Sequence, residues 1–291
     1  MQQFIGTGVA LVTPFRDDLS VDYDGLTAVI EHSIEGGVDY FVMLGTTAES
    51  ATLSIEEKAQ IVSHIKAVVG KRTPLALGLG GNNTASVVDE LLKLDVTGID
   101  AILSVSPYYN RPTQEGIYAH YAAIAGACPL PIIMYNVPSR TGCNMEVETT
   151  LRLAADFENI IGIKEAAGNI LQALRLLKDR PRGFLVISGD DMLALPIVSA
   201  GGDGVISVIG QGVVAPFCDM IRFGLEGAFA KAYSLHFELM PIIDLIFEEG
   251  NPAGIKSVLA SKGIGKDAVR LPLVKASAHL SQKISAYLAA H

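Results

Sequence analysis

The sequence predicts an α/β fold, a (β/α)8 TIM barrel with a C-terminal helical appendage. Eight short apolar runs alternate with longer segments whose apolar residues recur at helical spacing. The runs are almost continuously apolar, which is typical of parallel strands covered on both faces. This alternation favours a closed parallel barrel. A doubly wound open sheet is the alternative, but the sequence contains neither of its usual nucleotide-binding fingerprints, GxGxxG or GxxxxGK[ST].

The predicted strands are, in chain order, TGVALVTPF, DYFVMLG, PLALGLG, DAILSVSP, LPIIMYNVP, IIGIKEA, GFLVISGDD and DGVISVIG. The predicted helices between them are DYDGLTAVIEHSIEGG, SIEEKAQIVSHIKAVVG, TASVVDELLKLDVTG, QEGIYAHYAAIAGAC, EVETTLRLAADF, NILQALRLLKD and DMLALPIVSAGG. The second helix begins with a Ser-x-x-Glu capping box at Ser54 and Glu57, a local signal for a helix start.

Four further helical segments follow the eighth strand: VVAPFCDMIRFGLEG, AFAKAYSLHFELMPIIDLIFEE, PAGIKSVLASKG and SAHLSQKISAYLAA. A barrel needs only one of them. We therefore predict a catalytic barrel over residues 1–215 and, over residues 216–291, helices that complete and extend it. No linker rich in Pro, Ser or Gly separates the two parts, so we do not expect the second part to fold alone.

Composition restricts the function. The net charge is −9 and the longest basic run is the pair Lys71-Arg72, which argues against nucleic acid or an anionic membrane as the main partner. The cysteines Cys128, Cys143 and Cys218 form no CxxC pair, so neither a disulfide framework nor a thiolate metal site is expected. The sequence shows no signal-peptide pattern and no apolar stretch of the roughly 20 residues that a membrane helix needs. We expect a cytoplasmic protein.

Lys164 is the sharpest candidate for chemistry. The active site of a (β/α)8 barrel forms at the C-terminal ends of the strands, and Lys164 ends the apolar run IIGIK. Removal from water disfavours the charged form of an amine, and a neutral amine attacks carbonyl groups to form a Schiff base. The alternative is a lysine that points between helices or pairs with Glu165. Adjacent strand residues face opposite ways, which disfavours that pair.

Schiff-base chemistry also needs proton transfer. Tyr135 follows the preceding strand, and hydrogen bonds to the hydroxyl of Thr46 and the phenol of Tyr109 would create a proton relay. The alternative is that tyrosines at strand ends only pack their rings and bond to the backbone. Three tyrosines at one barrel mouth, with Tyr108 as the third, favour the relay.

Two segments suit anions. Thr46 and Thr47 lie in the turn LGTTAES, where hydroxyl and backbone N–H groups make a carboxylate-sized site; the alternative is a turn that caps its own helix. Arg140 lies in a loop bent by Pro138 and Gly142, and its fork of N–H donors suits a second carboxylate. Its alternative is a salt bridge to a loop acid. The six histidines show no metal-ligand spacing, so no metal is expected.

The motifs GTTAESATL, SPYYNRPTQEG, YNVPSRTG, GIKEA and GVISV, in this order, resemble the dihydrodipicolinate synthase family. The resemblance runs from about Phe4 to the C-terminus. It implies a class I lyase that condenses pyruvate with L-aspartate 4-semialdehyde in lysine and diaminopimelate biosynthesis. No cofactor is implied, because pyruvate itself forms a covalent imine with Lys164.

Two alternatives to this activity remain. One is a sister enzyme with the same imine chemistry, an N-acetylneuraminate lyase or a 2-keto-3-deoxy sugar acid aldolase. Arg140 disfavours it, because a sugar acid's polyol chain calls for hydroxyl and acidic partners. The other is a non-catalytic barrel that binds a 2-oxo acid, which would not need Lys164, Tyr135, Tyr109 and Thr46 together.

The resemblance also implies a role for each site residue. Lys164 forms the imine, Tyr135 shuttles the proton, and Thr46 and Tyr109 complete the relay. The remaining positions bind substrate: the pyruvate carboxylate at Thr47, the carboxylate of the second substrate at Arg140, and two backbone positions that line the pocket, at Gly189 and Ile206.

The resemblance further implies a homotetramer, a dimer of dimers in which Tyr109 reaches into the neighbouring subunit's site. Ala48 replaces the family's usual glycine in the turn. Lysine-inhibited members bind lysine at the dimer interface, where this chain has a degenerate set of residues: Ser50, Ala51, Lys58, Asn82 and Tyr108. Ile55, Lys58 and Ser86 stand where those members have polar and acidic groups. Because Lys58 repels an ammonium and Ser86 cannot neutralise one, inhibition by lysine is expected to be weak or absent.

Overall fold

In a computed structural model, which describes residues 2–291, eight parallel strands close into one barrel. The strands pair in chain order, and the first also pairs with the eighth. They are β1 Gly6–Ala10, β2 Tyr40–Met43, β3 Leu75–Gly78, β4 Ala101–Val105, β5 Ile132–Asn136, β6 Ile160–Glu165, β7 Leu185–Ser188 and β8 Gly204–Ser207. The predicted (β/α)8 barrel is confirmed.

The helices follow the predicted order, with one addition: the segment Pro138–Thr141, predicted as the loop that carries Arg140, forms a short helix. Those that accompany the barrel are α1 Tyr23–Glu35, α2 Ile55–Val69, α3 Thr84–Lys93, α4 Gln114–Ala127, the short α5 Pro138–Thr141, α6 Val147–Asp156, α7 Ile170–Asp179, α8 Ala194–Ser199 and α9 Val214–Leu225. The appendage consists of α10 Phe229–Glu248, α11 Ala253–Ser261 and α12 Ala278–Ala290. The division of the chain after residue 215 stays a prediction; Ala215 lies in the first turn of α9.

The start of α2 shows how local chemistry sets a helix boundary. The Ser54 side chain accepts a hydrogen bond from the backbone N–H of Glu57, and the Glu57 side chain accepts one from the backbone N–H of Ser54. Two N–H groups that the helix itself cannot satisfy thereby gain partners. The predicted capping box is present, and it fixes the start of α2 at Ile55.

The apolar core has two layers separated by the sheet. Successive strand residues face opposite sides, so on β5 Ile132 and Met134 pack toward the helices while Ile133 and Tyr135 point into the barrel. The ring of Phe4 meets that of Tyr40 edge to face inside the barrel, with centroids 5.3 Å apart. The barrel is therefore filled with side chains, and the predicted strand ends surround its open mouth.

The cysteines form no disulfide. Among residues 2–291, no helix combines the length and apolar character required to cross a membrane. The same residues contain no group of three or more His, Cys, Asp or Glu side chains arranged to hold a metal ion.

His120 makes folding stability sensitive to acid. It is buried between α3 and α4, where Nδ1 lies 2.8 Å from the Thr84 hydroxyl. Burial lowers the pKa of His120 from 6.5 to about 4. His120 is therefore protonated near pH 6.5 in the unfolded chain but only near pH 4 in the folded chain. Because the unfolded chain binds the proton more readily, the free energy of unfolding decreases as the pH falls from about 6.5 to about 4. The loss from this residue is at most about 3 kcal/mol.

We expect a His120→Gln variant, which keeps an amide for Thr84 but does not titrate, to lose less stability than the wild type between about pH 6.5 and pH 4.5. Urea unfolding at several pH values in this range measures the two slopes. Parallel pH dependences for the two proteins would contradict the assignment to His120.

Candidate active site

A cavity of about 480 Å³ opens at the C-terminal ends of the strands. Strand ends and the loops after them form most of its wall; the C-terminal half of α10 adds Ile243, Asp244, Phe247 and Glu248, and the segment after α10 adds Asn251. Six of the predicted site residues line it: Thr46, Thr47, Tyr135, Arg140, Lys164 and Gly189. The barrel topology brings them together because all of them follow or end parallel strands.

Lys164 and Tyr135 face each other at the centre of this cavity. They are register partners on β6 and β5, and the Lys164 Nζ lies 4.3 Å from the centroid of the Tyr135 ring. Only 6% of Lys164 is exposed, and its amine makes no ion pair within residues 2–291. A buried amine without a carboxylate partner is free to attack a carbonyl carbon brought into the cavity.

Glu165 holds the end of β6 from the opposite side of the sheet. Its carboxylate accepts hydrogen bonds from Asn136 Nδ2 at 3.1 Å, Gln172 Nε2 at 2.9 Å and the backbone N–H of Ala167 at 2.8 Å. Burial raises the pKa of Glu165, although these donors act against the rise. Because other donors satisfy Glu165 on the outer face, the alternative pair with Lys164 does not form.

Thr46 and Thr47 belong to a single 3-10 turn, Thr46–Ala48. Thr47 is buried and its Oγ1 accepts a hydrogen bond from Asn251 Nδ2 at 2.9 Å, whereas the Thr46 side chain is exposed to the cavity. Neither threonine caps a helix, since Ser54 caps α2. The alternative of a self-capping turn is therefore not what this structure shows.

Arg140 stands at the rim of the cavity. It lies in α5, which begins at Pro138 and is closed by Gly142 in the left-handed conformation, at φ 77°. Its side chain is exposed and makes no ion pair with any residue of the described chain 2–291. The guanidinium is thus available to a carboxylate ligand, and the alternative of a loop salt bridge is absent.

Gly189 leaves space for the side chain of Lys164. A Cβ atom at this position would lie 2.8 Å from Lys164 Cε and 2.7 Å from Ala166 Cβ, both closer than van der Waals contact.

Asp191, two residues after Gly189, is buried, and burial raises its pKa to about 6. Its carboxylate accepts hydrogen bonds from the backbone N–H groups of Val208 and Ile209 at 3.1 and 3.0 Å. The β7 loop is thereby fastened to the end of β8.

Two predicted site residues lie outside the cavity wall. Ile206 is 1% exposed and belongs to the apolar cluster inside the barrel. Tyr109 is 89% exposed, and its backbone adopts a left-handed φ of 71°, which is uncommon for a tyrosine. Its N–H donates to the Thr141 carbonyl, 3.3 Å away, so its loop packs on α5, and its side chain takes no part in lining this chain's own cavity.

Among the positions of the predicted degenerate lysine site, Asn82 and Tyr108 contact each other. Asn82 Nδ2 donates to the Tyr108 carbonyl at 3.1 Å, which joins the loops after β3 and β4. Ser50 and Ala51 form a second 3-10 turn before α2. Ile55, in the first turn of α2, is 81% exposed, and Lys58 follows one turn later.

Asn251 was not predicted from the sequence, yet it lines the cavity and contacts Thr47. Asp244 and Phe247 of α10 also line the cavity and were also not predicted. These residues follow the eighth strand, so the rule that catalytic residues occupy strand ends does not reach them. The dipeptide Asn251-Pro252, between two helical segments, is the only local signal of an unusual connection.

A closed barrel with a buried lysine, unpaired within residues 2–291, against a tyrosine at its strand ends is typical of class I lyases, which form a Schiff base with their substrate. The model of the dihydrodipicolinate synthetase family matches residues 3–291, and the chain belongs to this family. The family and the enzyme class expected from the sequence are confirmed.

Similar proteins agree over the whole length. The 4-hydroxy-tetrahydrodipicolinate synthase of Flavobacterium psychrophilum is 55% identical over 287 residues, covering 99% of this chain and 98% of the relative. The crystal structure of dihydrodipicolinate synthase from Thermotoga maritima superimposes with a TM-score of 0.96 at 35% identity, covering 99% and 98% of the two chains. The enzyme from Cyanidioschyzon merolae, solved with lysine bound, has a TM-score of 0.94 at 36% identity and the same coverage.

Substitution of Gly189 by alanine is expected to reduce imine formation by about 100-fold, because the added methyl group displaces the side chain of Lys164. Borohydride trapping with labelled pyruvate measures the rate. Gly126→Ala on α4 is the matched control, since a Cβ there meets nothing within 4 Å. Equal trapping by the two variants would show that Gly189 does not set the position of the amine.

Proposed function

We propose that this chain condenses pyruvate with L-aspartate 4-semialdehyde to form 4-hydroxy-tetrahydrodipicolinate, through an imine between pyruvate and Lys164. The observation that carries the proposal is the buried, unpaired Lys164 amine against the Tyr135 ring in a cavity open to solvent. The full-length similarity to synthases of that name supports the choice of substrates. The activity belongs to lysine and diaminopimelate biosynthesis, which we place in the cytoplasm.

The first half of the reaction joins pyruvate to the enzyme. Lys164 Nζ attacks the ketone carbon, and protonation of the resulting hydroxyl lets it leave as water, which gives the imine. We assign these proton transfers to the hydroxyl of Tyr135 and, in the same cavity wall, to the hydroxyl of Thr46. Loss of a proton from the pyruvate methyl group then yields an enamine, whose terminal carbon is the nucleophile.

The second half forms the carbon–carbon bond. The enamine carbon attacks the aldehyde carbon, and the aldehyde oxygen takes a proton to become a hydroxyl. The amino nitrogen of the second substrate then attacks the imine carbon and closes the ring. Expulsion of the Lys164 amine returns the enzyme to its starting state, with no cofactor consumed.

Two anion sites order the substrates. Thr47, buried in the wall of the same cavity, is assigned to the pyruvate carboxylate, and Arg140 at the rim to the carboxylate of the semialdehyde. The backbone of Gly189 lines the pocket beside the lysine. We assign the backbone of Ile206 to its floor, below the residues that form the wall.

Tyr109 completes the relay from a neighbouring copy of the chain. Its ring is 89% exposed and its backbone holds a left-handed conformation, which is costly unless the tertiary structure uses it. We propose a homotetramer built as a dimer of dimers, in which this phenol enters the adjacent cavity.

The reaction is tested in a coupled assay with pyruvate, L-aspartate 4-semialdehyde, dihydrodipicolinate reductase and NADPH. We expect NADPH loss that requires both substrates and falls to background in Lys164→Ala, because no other described residue carries a buried amine in this cavity. Borohydride with pyruvate is run in parallel and should label only the wild type.

Each other outcome has a distinct meaning. Trapping without turnover keeps the imine and assigns the chain to a sister aldolase such as an N-acetylneuraminate lyase. Neither trapping nor turnover would leave a barrel that binds a 2-oxo acid without reacting.

Lysine is expected to inhibit weakly or not at all. Ile55 and Lys58 occupy α2, and Ser86 occupies α3, where lysine-sensitive members of the family have polar and acidic groups. A titration of lysine in the coupled assay measures the effect. Inhibition at low micromolar lysine would refute the expectation.

A further inference from the structure

The turn that carries Thr46 and Thr47 is held in place by residues that follow the barrel. We propose that Asn251 is a positioning residue that directs the Thr47 hydroxyl hydrogen toward the pyruvate carboxylate, and that Lys256 fixes the same turn through Glu49. This inference rests on the proposed function, because it assigns the carboxylate as the acceptor.

The contact between Asn251 and Thr47 defines the direction of the hydroxyl. Asn251 Nδ2 donates to Thr47 Oγ1 at 2.9 Å, and both residues line the cavity while being 9% and 2% exposed. A hydroxyl whose oxygen accepts one hydrogen bond still has its own hydrogen to donate. Within residues 2–291 that hydrogen has no hydrogen-bond acceptor, so it is available to a carboxylate that enters the cavity.

The direction of the hydrogen bond between Asn251 and Thr47 is what matters: the amide must donate to the hydroxyl oxygen. Its Oδ1 is buried and has no partner among residues 2–291, so the amide retains its place through Nδ2 alone. A carboxylate in the same position would accept the Thr47 hydrogen and turn it away from the substrate. It would also place a second negative charge beside the proposed anion site.

A second link holds the backbone of the turn. Glu49 follows Ala48 with a left-handed φ of 54°, and its buried carboxylate accepts from Lys256 Nζ at 2.5 Å and from the Arg270 backbone N–H at 2.8 Å. Lys256 also donates to the Ala268 carbonyl at 2.8 Å. A buried charge that loses its partner is strongly unfavourable, so the pair restrains Glu49 and with it the turn.

These two links span almost the whole chain. Asn251 is separated from Thr47 by 204 positions, and Lys256 from Glu49 by 207. The segment between α10 and α11, together with the start of α11, is therefore part of the substrate site. This segment does not act only as a surface for contacts between subunits, because it contacts the turn of Thr47 and Glu49 in its own chain.

The test compares Asn251→Asp with the wild type in borohydride trapping at increasing pyruvate and in the coupled assay. We expect the pyruvate concentration for half-maximal trapping, and the KM for pyruvate, to rise by about tenfold or more, as for loss of a hydrogen bond to a charged group. The KM for the semialdehyde should stay within about twofold, since Arg140 is untouched.

Asn83→Asp is the matched control. It introduces the same charge at the exposed N-cap of α3, outside the cavity wall, where Asp and Asn cap equally well. It should leave both KM values unchanged.

A double-mutant cycle with Thr47→Val separates positioning from packing. Once the hydroxyl is gone, Asn251→Asp should have little further effect on pyruvate binding. An equal effect with and without the hydroxyl, or a change confined to the semialdehyde KM, would overturn the proposal. Asn251→Ala in the same cycle carries the test if the acidic variant does not fold.

The trapping assay needs no second substrate, so the two proposals fail separately. If the wild-type protein traps pyruvate but does not condense it, the proposed reaction is contradicted, while the role of Asn251 in pyruvate binding can still be tested by trapping. Wild-type protein that traps no pyruvate removes the imine and the role of Asn251 together.

Discussion

The burial of one unpaired amine is the constraint on which the rest of this structure depends. Lys164 lies in the barrel mouth without a carboxylate partner among residues 2–291, which is unfavourable for an ammonium group removed from water. The closed sheet and the packed cluster below it leave the cavity as the one space for its side chain. Gly189 is part of this constraint, since any side chain there would occupy the path of the amine.

Because side chains alternate along a strand, the residues that face the cavity and the residues that hydrogen-bond outside the barrel lie next to each other on β5 and β6. Tyr135 pairs in register with Lys164 inside the barrel, and Asn136 pairs with Glu165 outside it. The inner pair faces the cavity with its reactive atoms free, while the outer pair is fully engaged in hydrogen bonds with Gln172 and neighbouring backbone. Strand ends that carry function are thus fixed by the residues next to them, which point the other way.

The site also depends on parts of the chain remote from the strand ends. Helix α10 closes one wall of the cavity, and the segment after it reaches back to the threonine turn through Asn251 and Lys256. Tyr109 turns outward on a loop that packs against α5, the helix of Arg140. The turn of Thr47 is therefore held by contacts between distant parts of the chain, whereas Lys164 and Tyr135 lie on two adjacent strands.

The sequence alone determined the barrel and most of its mouth. Parallel strands end at one face, so naming the residues at those ends was enough to predict that Thr46, Tyr135, Arg140 and Lys164 share a cavity. Only the tertiary structure decided that Asn251 supports Thr47, that Lys256 neutralises Glu49 inside the protein, and that Ile206 and Tyr109 lie outside the wall. Strand-end position and the alternation of side chains along a strand follow from local periodicity, but contacts between distant segments follow from packing, which no local pattern encodes.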